Sequence, residues 1–384
     1  MAHRRPEDVD DLRRVSEAIT IAIILPDLGG GGAQRVMLQV AGGLDLARFR
    51  PHILVLGGSQ QFADQVPPHL PIEIGKTDRL RDGLPWLIRR LRALRPRLAV
   101  SVMGYLNLAL LACRPLLPRQ TSIIVREANV LAATENALPR WLPARTLYRQ
   151  LYPRAAAIVA PSGRIAAEIS GCAPAAARRI AVIANPVDVE ALRRRASPPK
   201  RVPGPGLRLV AAGRLTRQKG FDRLLSAMPA LEPMVRLSIF GSGPDEDALR
   251  MEIAARGLAE QVRLEGFSTE LPATIAGADA LLLPSRWEGL PNVVLESLAL
   301  GTPVIASDEA AVQEVGRAAP PGAVIVGSPE LEFLPAIRGL KPQAEVGSAP
   351  RVSLLPAVYH QDTVISQWSA LIERLVAREQ AQTS

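Results

Sequence analysis

The sequence predicts an α/β protein made of two halves, each a mostly parallel β-sheet covered by helices. Three observations lead to this prediction. Apolar runs of strand length alternate with amphipathic stretches of helix length from Ile19 onward, which is the pattern of consecutive βα units. A segment rich in proline and glycine, Ser197–Gly206, interrupts the alternation near the middle of the 384 residues, as linkers between domains do. The alternation then begins again at Leu207.

The first half contains six apolar runs that are typical of buried strands. They are Ile19–Leu25, His52–Leu56, Leu98–Val102, Ser122–Val125, Ala156–Val159 and Ile180–Ile183. Between them, Ala33–Leu44 and Leu84–Leu94 carry apolar residues at helical spacing. Strands separated by helices pair in parallel, because each helix returns the chain to the end of the sheet where the previous strand began.

The second half repeats the pattern. Its strand-like runs are Leu207–Ala212, Val235–Phe240, Ala280–Leu283 and Val304–Ala306. From Gly316 to His360 the periodicity weakens, and one further short strand is expected at Ala323–Val326. The stretch Thr363–Arg378 returns to helical spacing. Its apolar face consists of Val364, Trp368, Leu371, Ile372 and Leu375.

These boundaries predict four segments. Residues 1–18 are expected to be a flexible tail, 19–199 an N-terminal domain and 200–361 a C-terminal domain. Residues 362–384 are expected to form a last helix. We expect a ligand in the cleft between the two domains, because binding sites lie preferentially at domain interfaces.

The composition limits the classes of partner. The net charge is +9, and only four residues are lysine, so arginine carries nearly all of the positive charge. Such an excess favours anionic partners such as phosphorylated ligands, nucleic acid or an anionic membrane, although an arginine-rich composition alone would also produce it. Two cysteines and four histidines, none at metal-ligand spacing, predict neither a zinc site nor a disulfide framework.

The sequence also bears on location. The charged N-terminus lacks the apolar core of a secretory signal, and the longest apolar runs, Ile19–Leu25 and Leu106–Cys113, are too short to span a bilayer. We therefore expect a cytoplasmic protein whose membrane contact, if any, is peripheral. The basic helix around Arg89–Arg97 is the candidate for contact with anionic lipid.

The segment Gly213–Gly220, GRLTRQKG, directly follows a predicted strand. Gly213 lets the backbone turn sharply and come close to a ligand. Arg214 can bind a phosphate through two N–H groups, and Lys219 adds a mobile positive charge. The next helix is expected to start near Phe221 and to direct its N-terminus at the same place. A basic surface loop would have the same composition, so this motif alone is ambiguous.

The segment Pro284–Pro303 is longer and more specific. A strand leads into the loop, and Asn292 is expected to cap a helix that runs to Gly301. Glu288 then lies in the loop beside the helix N-terminus, and Glu296 lies about one turn into the helix. The loop offers backbone N–H groups to a phosphate, and the carboxylates can accept hydrogen bonds from sugar or ribose hydroxyls. A cap and a solvated helix residue are the alternative interpretations of the two glutamates.

The pair Glu288/Glu296, within SRWEGLPNVVLESLALGTPVIAS, resembles the signature of the family-4 retaining glycosyltransferases of the GT-B fold. Other motifs of that family occur in the same order: GRLTRQKG at 213–220, FGSGP at 240–244 and VRLEGF at 262–267. In the N-terminal half, GGGGAQR at 29–35 and NPVD at 185–188 are similar in a looser way. The resemblance covers about residues 20–315.

The resemblance implies a GT-B architecture, in which two Rossmann-like domains face a cleft and the C-terminal helix crosses back onto the N-terminal domain. It implies catalytic roles for Arg214 and Lys219, on the diphosphate, and for Glu288, on the transferred sugar. The residues implied to bind the donor are Gly31, Gly32, Gly213, Gly289, Leu290, Pro291, Asn292 and Glu296. Those implied to lie on the acceptor side are Gln34, Arg126, Glu127 and Asn129.

The resemblance further implies that a sugar moves from a nucleoside diphosphate, as a UDP- or GDP-sugar, to a hydroxyl of a glycan or lipid-linked acceptor. Configuration would be retained, and neither a metal nor a further cofactor would be required. Two departures from the family pattern concern the site. Residues 125–129 contain no histidine, which many relatives place near the acceptor, and residues 316–360 lack the usual glycine-rich continuation.

Other classes fit the residues less well. A nicotinamide-binding fold is disfavoured because Arg35 replaces the third glycine of its fingerprint. A metal-dependent transferase would need an Asp-x-Asp pair, but Asp8–Asp10 falls in the tail and Asp245–Asp247 opens a helix, where carboxylates are favourable anyway. A nucleic-acid-binding protein would need aromatic residues among its basic clusters, so no nucleic-acid partner is expected. The alternatives to a transferase are therefore a basic nucleic-acid-binding protein, prompted by the net charge, and a nucleotide-binding homologue without catalysis.

Overall fold

The computed structural model describes most of the chain. The described residues are 18–29, 31–60, 63, 66–77, 79–131, 134, 142–200, 206–308, 312–342 and 350–383. Residues 1–17 of the expected tail, with the Asp8–Asp10 pair, lie outside the described residues, as do residues 201–205 of the expected linker.

The N-terminal sheet has seven parallel strands in the order β3-β2-β1-β4-β5-β6-β7. The strands are β1 (Ile19–Leu25), β2 (Phe49–Val55), β3 (Ile72–Ile74), β4 (Leu98–Val102), β5 (Ser122–Arg126), β6 (Ala157–Ala160) and β7 (Ile180–Val182). The helices are α1 (Gly32–Gly43), α2 (Leu80–Leu94), α3 (Gly104–Ala112), α4 (Ala144–Leu151) and α5 (Gly163–Cys172). In β1, Ile21 and Ile23 face one apolar core, and Ala22 and Ile24 face the other. Both faces are therefore covered, which is why this strand is a continuous apolar run.

The C-terminal sheet has six parallel strands in the order β10-β9-β8-β11-β12-β13. The strands are β8 (Arg208–Ala212), β9 (Arg236–Phe240), β10 (Val262–Gly266), β11 (Ala280–Leu283), β12 (Val304–Ala306) and β13 (Val324–Val326). The helices are α6 (Val189–Arg195), α7 (Phe221–Ala227), α8 (Glu246–Ala255), α9 (Leu271–Gly277), α10 (Asn292–Ala299), α11 (Gln313–Ala318) and α12 (Phe333–Arg338). In both sheets the strand order reverses beside the first strand, at β1/β4 and at β8/β11. Ligands of such folds bind beyond the carboxyl ends of the strands at this reversal.

The chain crosses between the two sheets twice, and the crossings are hydrogen-bonded to each other. The N–H of Val187 donates to the carbonyl of Tyr359 (2.9 Å), and that of Gln361 donates to the carbonyl of Val187 (3.0 Å). After the first crossing, α6 packs against α9 and α10. After the second, helix α13 (Gln361–Thr383) packs against α1 and buries Trp368 in the core of the N-terminal sheet.

The two parallel sheets and the returning C-terminal helix confirm the predicted fold class. Two strands were not expected from the sequence. In β10 the exposed Arg263 and Glu265 interrupt the apolar run, as they can at the edge of a sheet, and β3 is an edge strand of three residues. The apolar run Leu106–Cys113 belongs largely to α3, whose residues are buried on most sides and so lack helical periodicity. Within the described residues, no helix combines the length and the apolar character needed to cross a membrane.

Candidate functional site

The loops that follow β8 and β11 lie side by side, because these strands are neighbours in the C-terminal sheet. Gly220 allows the contact, and Gly213 leaves room for the Lys219 side chain of its own loop. Gly220 has φ of +66°, and a Cβ built on it would lie 2.3 Å from the carbonyl oxygen of Pro284. Gly213 has φ of +155°, and its Cβ would lie 2.8 Å from Cε of Lys219. The two motifs that the sequence singled out therefore form one surface at the carboxyl end of the sheet.

An ion pair joins these loops. Lys219 Nζ donates to Glu288 Oε1 at 2.6 Å, and the side chains are 17% and 9% exposed. Ser285 Oγ donates to the same oxygen at 2.9 Å. Glu288 Oε2 receives one long hydrogen bond, 3.4 Å, from Gln218 Nε2. Oε1 thus fixes the carboxylate to the protein, while Oε2 and two N–H groups of the ammonium retain capacity for a ligand.

Helix α10 begins at Asn292, and Pro291 occupies the cap position without a capping hydrogen bond. The expectation that Asn292 caps this helix is therefore wrong. Its side chain is used across the cleft instead, where Nδ2 donates to the carbonyl of Gly32 (3.2 Å) and Oδ1 accepts from Asn185 (2.6 Å). The start of α10 is left without a side-chain cap, so its N–H groups are suited to an anion.

The N-termini of α1 and α10 meet in the cleft. Gly32 is the first residue of α1, and a Cβ built on it would lie 2.9 Å from Asn292 Nδ2. Gly31, which occupies the cap position of α1, has no side chain to satisfy the first N–H groups. Each helix N-terminus carries roughly half a positive charge. Their convergence beside Lys219 makes this part of the cleft a site for a strongly anionic group.

Glu296, one turn into α10, is paired across the cleft. Arg35 Nη2 lies 2.9 Å from Glu296 Oε1, and the carboxylate side chain is 14% exposed. The pair borders a small open cavity of about 50 Å³, which is lined by residues of both domains and of the connecting segment. The family resemblance implies that the Glu296 carboxylate binds ribose hydroxyls. In this structure the same carboxylate is paired with Arg35.

Arg214 lies beside this site with its side chain exposed. Within the described residues, no hydrogen bond or ion pair of its guanidinium is found. Its charge therefore has no carboxylate partner there, in contrast to that of Lys219. Arginine can bind a phosphate through two parallel N–H groups, so Arg214 supplies the cleft with positive charge that is available to a ligand.

The residues expected on the acceptor side lie mostly behind the cleft surface. Gln34 is 6% exposed and donates through Nε2 to Asp27 Oδ1 at 3.1 Å. Arg126 and Glu127, at the end of β5, are 1% and 3% exposed. Asn129 is partly exposed, and its Oδ1 accepts from the N–H of Val130 at 2.9 Å. An acceptor would therefore meet Asn129 first, and the others would act through the structure around them.

Glu127 is surrounded by neutral donors. Its Oε1 accepts from Asn107 Nδ2 at 3.0 Å, from Tyr148 Oη at 3.1 Å and from Tyr152 Oη. Burial raises the pKa of Glu127 to about 7, although these hydrogen bonds and the charge of Arg126 oppose the rise. Burial also lowers the pKa of Arg126 to about 10, while the neighbouring carboxylate raises it.

Four residues at this site were missed from the sequence: Arg35, Asn185, Gln218 and Ser285. All four stand inside quoted motifs, and Gln218 and Ser285 lie directly beside predicted site residues, next to Lys219 and shortly before Glu288, so their positions were a usable signal. Arg35 and Asn185 contact residues more than one hundred positions away. No local pattern could assign those partners.

The fold and the site together define a two-domain α/β protein of GT-B architecture, with two helix N-termini and basic side chains in its interdomain cleft. The model of glycosyl transferases group 1 matches residues 193–335, and that of glycosyltransferase family 4 matches residues 30–191. Together they cover more than three quarters of the chain. The chain belongs to the family-4 glycosyltransferases of the GT-B fold.

Individual relatives align over part of the chain. The Salmonella typhimurium protein WcaL, named for colanic acid biosynthesis, is 30% identical over 188 residues, which are 46% of this chain and 45% of WcaL. The lipopolysaccharide core biosynthesis mannosyltransferase LpsB of Rhizobium meliloti is 33% identical over 111 residues, 27% of this chain and 32% of LpsB. The chain thus spans less than half the length of these relatives. HepE of Anabaena, solved with UDP and glucose, shares the fold over 93% of this chain and 100% of its own, with a TM-score of 0.72 and 16% identity.

Proposed function

We propose that the protein transfers a sugar from a nucleoside diphosphate sugar to a hydroxyl group of a glycan or lipid-linked acceptor. The observation that carries the proposal is the convergence of two helix N-termini, Arg214 and the Lys219–Glu288 pair at one point of the cleft. A diphosphate matches this arrangement because its negative charge complements Arg214 and the two helix N-termini, whereas Lys219 and Arg35 already pair with Glu288 and Glu296.

Each group has a defined task in this proposal. Arg214, Lys219 and the start of α10 bind the diphosphate and stabilise the negative charge that develops on it as the sugar leaves. Glu288 orients the sugar through Oε2, since Oε1 is held by Lys219 and Ser285. Glu296 binds the ribose hydroxyls, and Arg35 must share or release the carboxylate when it does so.

We propose retention of configuration, with the departing phosphate accepting the proton of the attacking hydroxyl on the same face of the sugar. The engagement of Glu288 Oε1 supports an orienting role over a nucleophilic one. The cations and helix termini supply the charge stabilisation without a metal. The names of WcaL and LpsB support an acceptor from exopolysaccharide or lipopolysaccharide synthesis.

A lipid-linked acceptor would lie at a membrane, and one surface of the N-terminal domain is suited to an anionic membrane. Arg89, Arg92 and Arg95 of the region around α2 are exposed. Arg92 Nε donates to the carbonyl of Leu116 (2.7 Å), whose side chain is 47% exposed. Basic residues around an exposed leucine favour peripheral binding. Flotation with phosphatidylglycerol vesicles tests this peripheral membrane binding. The fraction of protein bound to vesicles should fall as salt is added and in the Arg89→Ala/Arg92→Ala variant. Binding that does not depend on salt would contradict the electrostatic contact.

A donor screen tests the central proposal. UDP-, GDP- and ADP-sugars are incubated with the protein in EDTA, and binding and slow hydrolysis are measured without acceptor. One nucleotide sugar should bind and hydrolyse, and Glu296→Gln and Lys219→Met should reduce both. Glu270→Gln is the matched control, because Glu270 pairs with Lys200 on an exposed surface. If no nucleotide sugar binds, or if the control is as defective as Glu296→Gln, the proposal is wrong.

A further inference from the structure

A continuous chain of side-chain hydrogen bonds crosses the cleft twice. Arg126 Nη2 donates to Asn185 Oδ1 at 2.6 Å, and Asn185 Nδ2 donates to Asn292 Oδ1 at 2.6 Å. Asn292 Nδ2 then donates to the carbonyl of Gly32 at 3.2 Å. Asn185 Nδ2 also donates to the carbonyl of Leu290 at 3.0 Å. We call Arg126, Asn185, Asn292 and Gly32 the relay.

The relay has one possible direction. The guanidinium of Arg126 can only donate, and the carbonyl of Gly32 can only accept. Both amides between them must therefore present oxygen toward Arg126 and nitrogen toward Gly32. Turning either amide over would place two donors or two acceptors against each other. The orientation of Asn292 at the start of α10 is thus determined by a residue at the end of β5.

The middle of the relay is buried, so its bonds are costly to lose. Asn185 is 5% exposed and Arg126 is 1% exposed. Within the described residues, the other buried nitrogens of this guanidinium, Nε and Nη1, have no hydrogen-bond partner. The bond that Arg126 Nη2 donates to Asn185 Oδ1 is consequently the hydrogen bond that orients this guanidinium. Leaving such a buried donor unsatisfied costs about 1–3 kcal/mol, and more for a charged group.

The relay ends on the elements that the proposed function uses. Leu290 and Asn292 belong to the loop and helix start that meet the diphosphate, and Gly32 starts the facing helix α1. Asn185 itself follows β7 and stands on the segment that connects the two domains, shortly before Val187 forms the crossing. Asn185 therefore contacts the acceptor-side sheet through Arg126 and the donor loop at the same time.

We infer that Asn185 is a positioning residue, which sets the donor loop and the start of α10 against the acceptor-side sheet. The expected effect of Asn185 on kcat rests on the proposed sugar transfer, but its expected effect on the order of the donor loop and of α10 does not. In this inference Asn185 acts through Leu290 and Asn292, to which its amide nitrogen donates hydrogen bonds. A displacement of about 1 Å at a reacting centre can cost about 100-fold in rate, so a small shift of this loop is sufficient to matter.

The structure offers a matched control for contact between the domains. Glu314, at the start of α11, accepts from the N–H groups of Gly163 and Arg164 at the start of α5, both at 2.9 Å. This contact also joins the two domains, yet it includes none of the relay residues. Glu314→Gln weakens domain contact alone, whereas Asn185→Asp alters the relay.

Asn185→Asp is the informative variant because it is nearly isosteric. The carboxylate keeps an acceptor for Arg126, so the fold is retained. It removes the donor to Leu290 and Asn292 and places a carboxylate oxygen against two acceptor oxygens. We expect kcat for donor hydrolysis to fall by about 10–100-fold, with a smaller rise in KM. Glu314→Gln should change KM more than kcat.

Hydrogen exchange tests the same inference without any nucleotide. Amides of residues 289–299 should exchange faster in Asn185→Asp than in wild type, and should be unchanged in Glu314→Gln. Equal exchange in all three proteins would overturn the inference, as would equal kcat losses in both variants at matched melting temperature. If wild type hydrolyses no nucleotide sugar but exchange changes as expected, the proposed function fails and the positioning role stands.

Discussion

Replacing Lys219 by methionine is the sharpest single perturbation of the site. Methionine keeps most of the side chain's volume and removes its charge. Glu288 would then lose the cation that lies 2.6 Å away while its side chain is only 9% exposed. Ser285 would remain as a hydrogen-bond donor to the carboxylate at 2.9 Å. The variant therefore separates the charge of Lys219 from its packing.

The structure sets the expected magnitudes. Removing one partner of a buried ion pair costs about 3–5 kcal/mol. Because Lys219 is 17% exposed and Ser285 still donates, we expect the free energy of unfolding to fall by about 2–3 kcal/mol. Donor hydrolysis should fall by about 10²–10³, since one donor to the developing phosphate charge is lost. Adding Glu288→Gln should restore most of the stability, because the unpaired charge is gone, and none of the activity.

Denaturant unfolding of the wild type, both single variants and the double variant gives the coupling energy directly. Lys200→Met is the control, because Lys200 pairs with Glu270 in an exposed position and should cost at most about 1 kcal/mol. A coupling energy near zero between Lys219 and Glu288 would refute the energetic argument. If Lys219→Met hydrolysed the donor at the wild-type rate, the proposed role of Lys219 in binding the diphosphate would be refuted.

Three further predictions follow from other contacts. Gly289→Ala should reduce kcat by about tenfold or more while the protein stays folded, because the new Cβ would lie 2.3 Å from a carbonyl of the loop after β5; an unchanged kcat would contradict this. Glu127 has its pKa raised from 4.5 to about 7 by burial, so the folded state keeps a proton that the unfolded state has lost between these values. The free energy of unfolding should therefore fall as pH rises through that window, and Glu127→Gln should flatten the dependence measured by denaturant titration. Arg193→Ala should lower the free energy of unfolding by about 1.5–3 kcal/mol, because Arg193 donates to the carbonyls of Ala299 and Arg351. Arg193→Lys should lower it by less. Equal losses in the two variants would show that the two hydrogen bonds of the guanidinium do not matter.

The strands and the two site motifs could be predicted because their signals are local. β4, β11 and β12 were placed without error, since each is a short apolar run with a break on either side. The same rule missed β10, where Arg263 and Glu265 face solvent at the sheet edge. Lys219 and Glu288 were assigned to one site because the motifs that contain them resemble the same glycosyltransferase family, and the structure pairs them because their loops follow neighbouring strands of one parallel sheet.

The use of Asn292 could not be predicted in this way. An asparagine before an apolar helical stretch is typical of a cap, and the local pattern favours that interpretation. In the folded protein Asn185 and Gly32 lie within hydrogen-bond distance of its side chain and compete for it. The tertiary contacts are favoured over the cap because the buried amide of Asn185 would otherwise lose a hydrogen bond. The uncapped N–H groups at the start of α10 can still bind a ligand or solvent.

The amino-acid sequence by itself determined the two parallel sheets and the charged motifs that follow the strands of the second sheet. Each of these depends on residues within about one strand or helix of each other, so a periodicity or a short motif records it. Only the tertiary structure decided the pairing of Arg35 with Glu296, the burial of Arg126 and Glu127, and the relay through Asn185. The Arg35–Glu296 pair and the relay join positions far apart in the chain, and they exist because the two domains face each other across the cleft. The burial of Arg126 and Glu127 depends instead on α3 and α4, which supply Asn107 and Tyr148 as partners of Glu127.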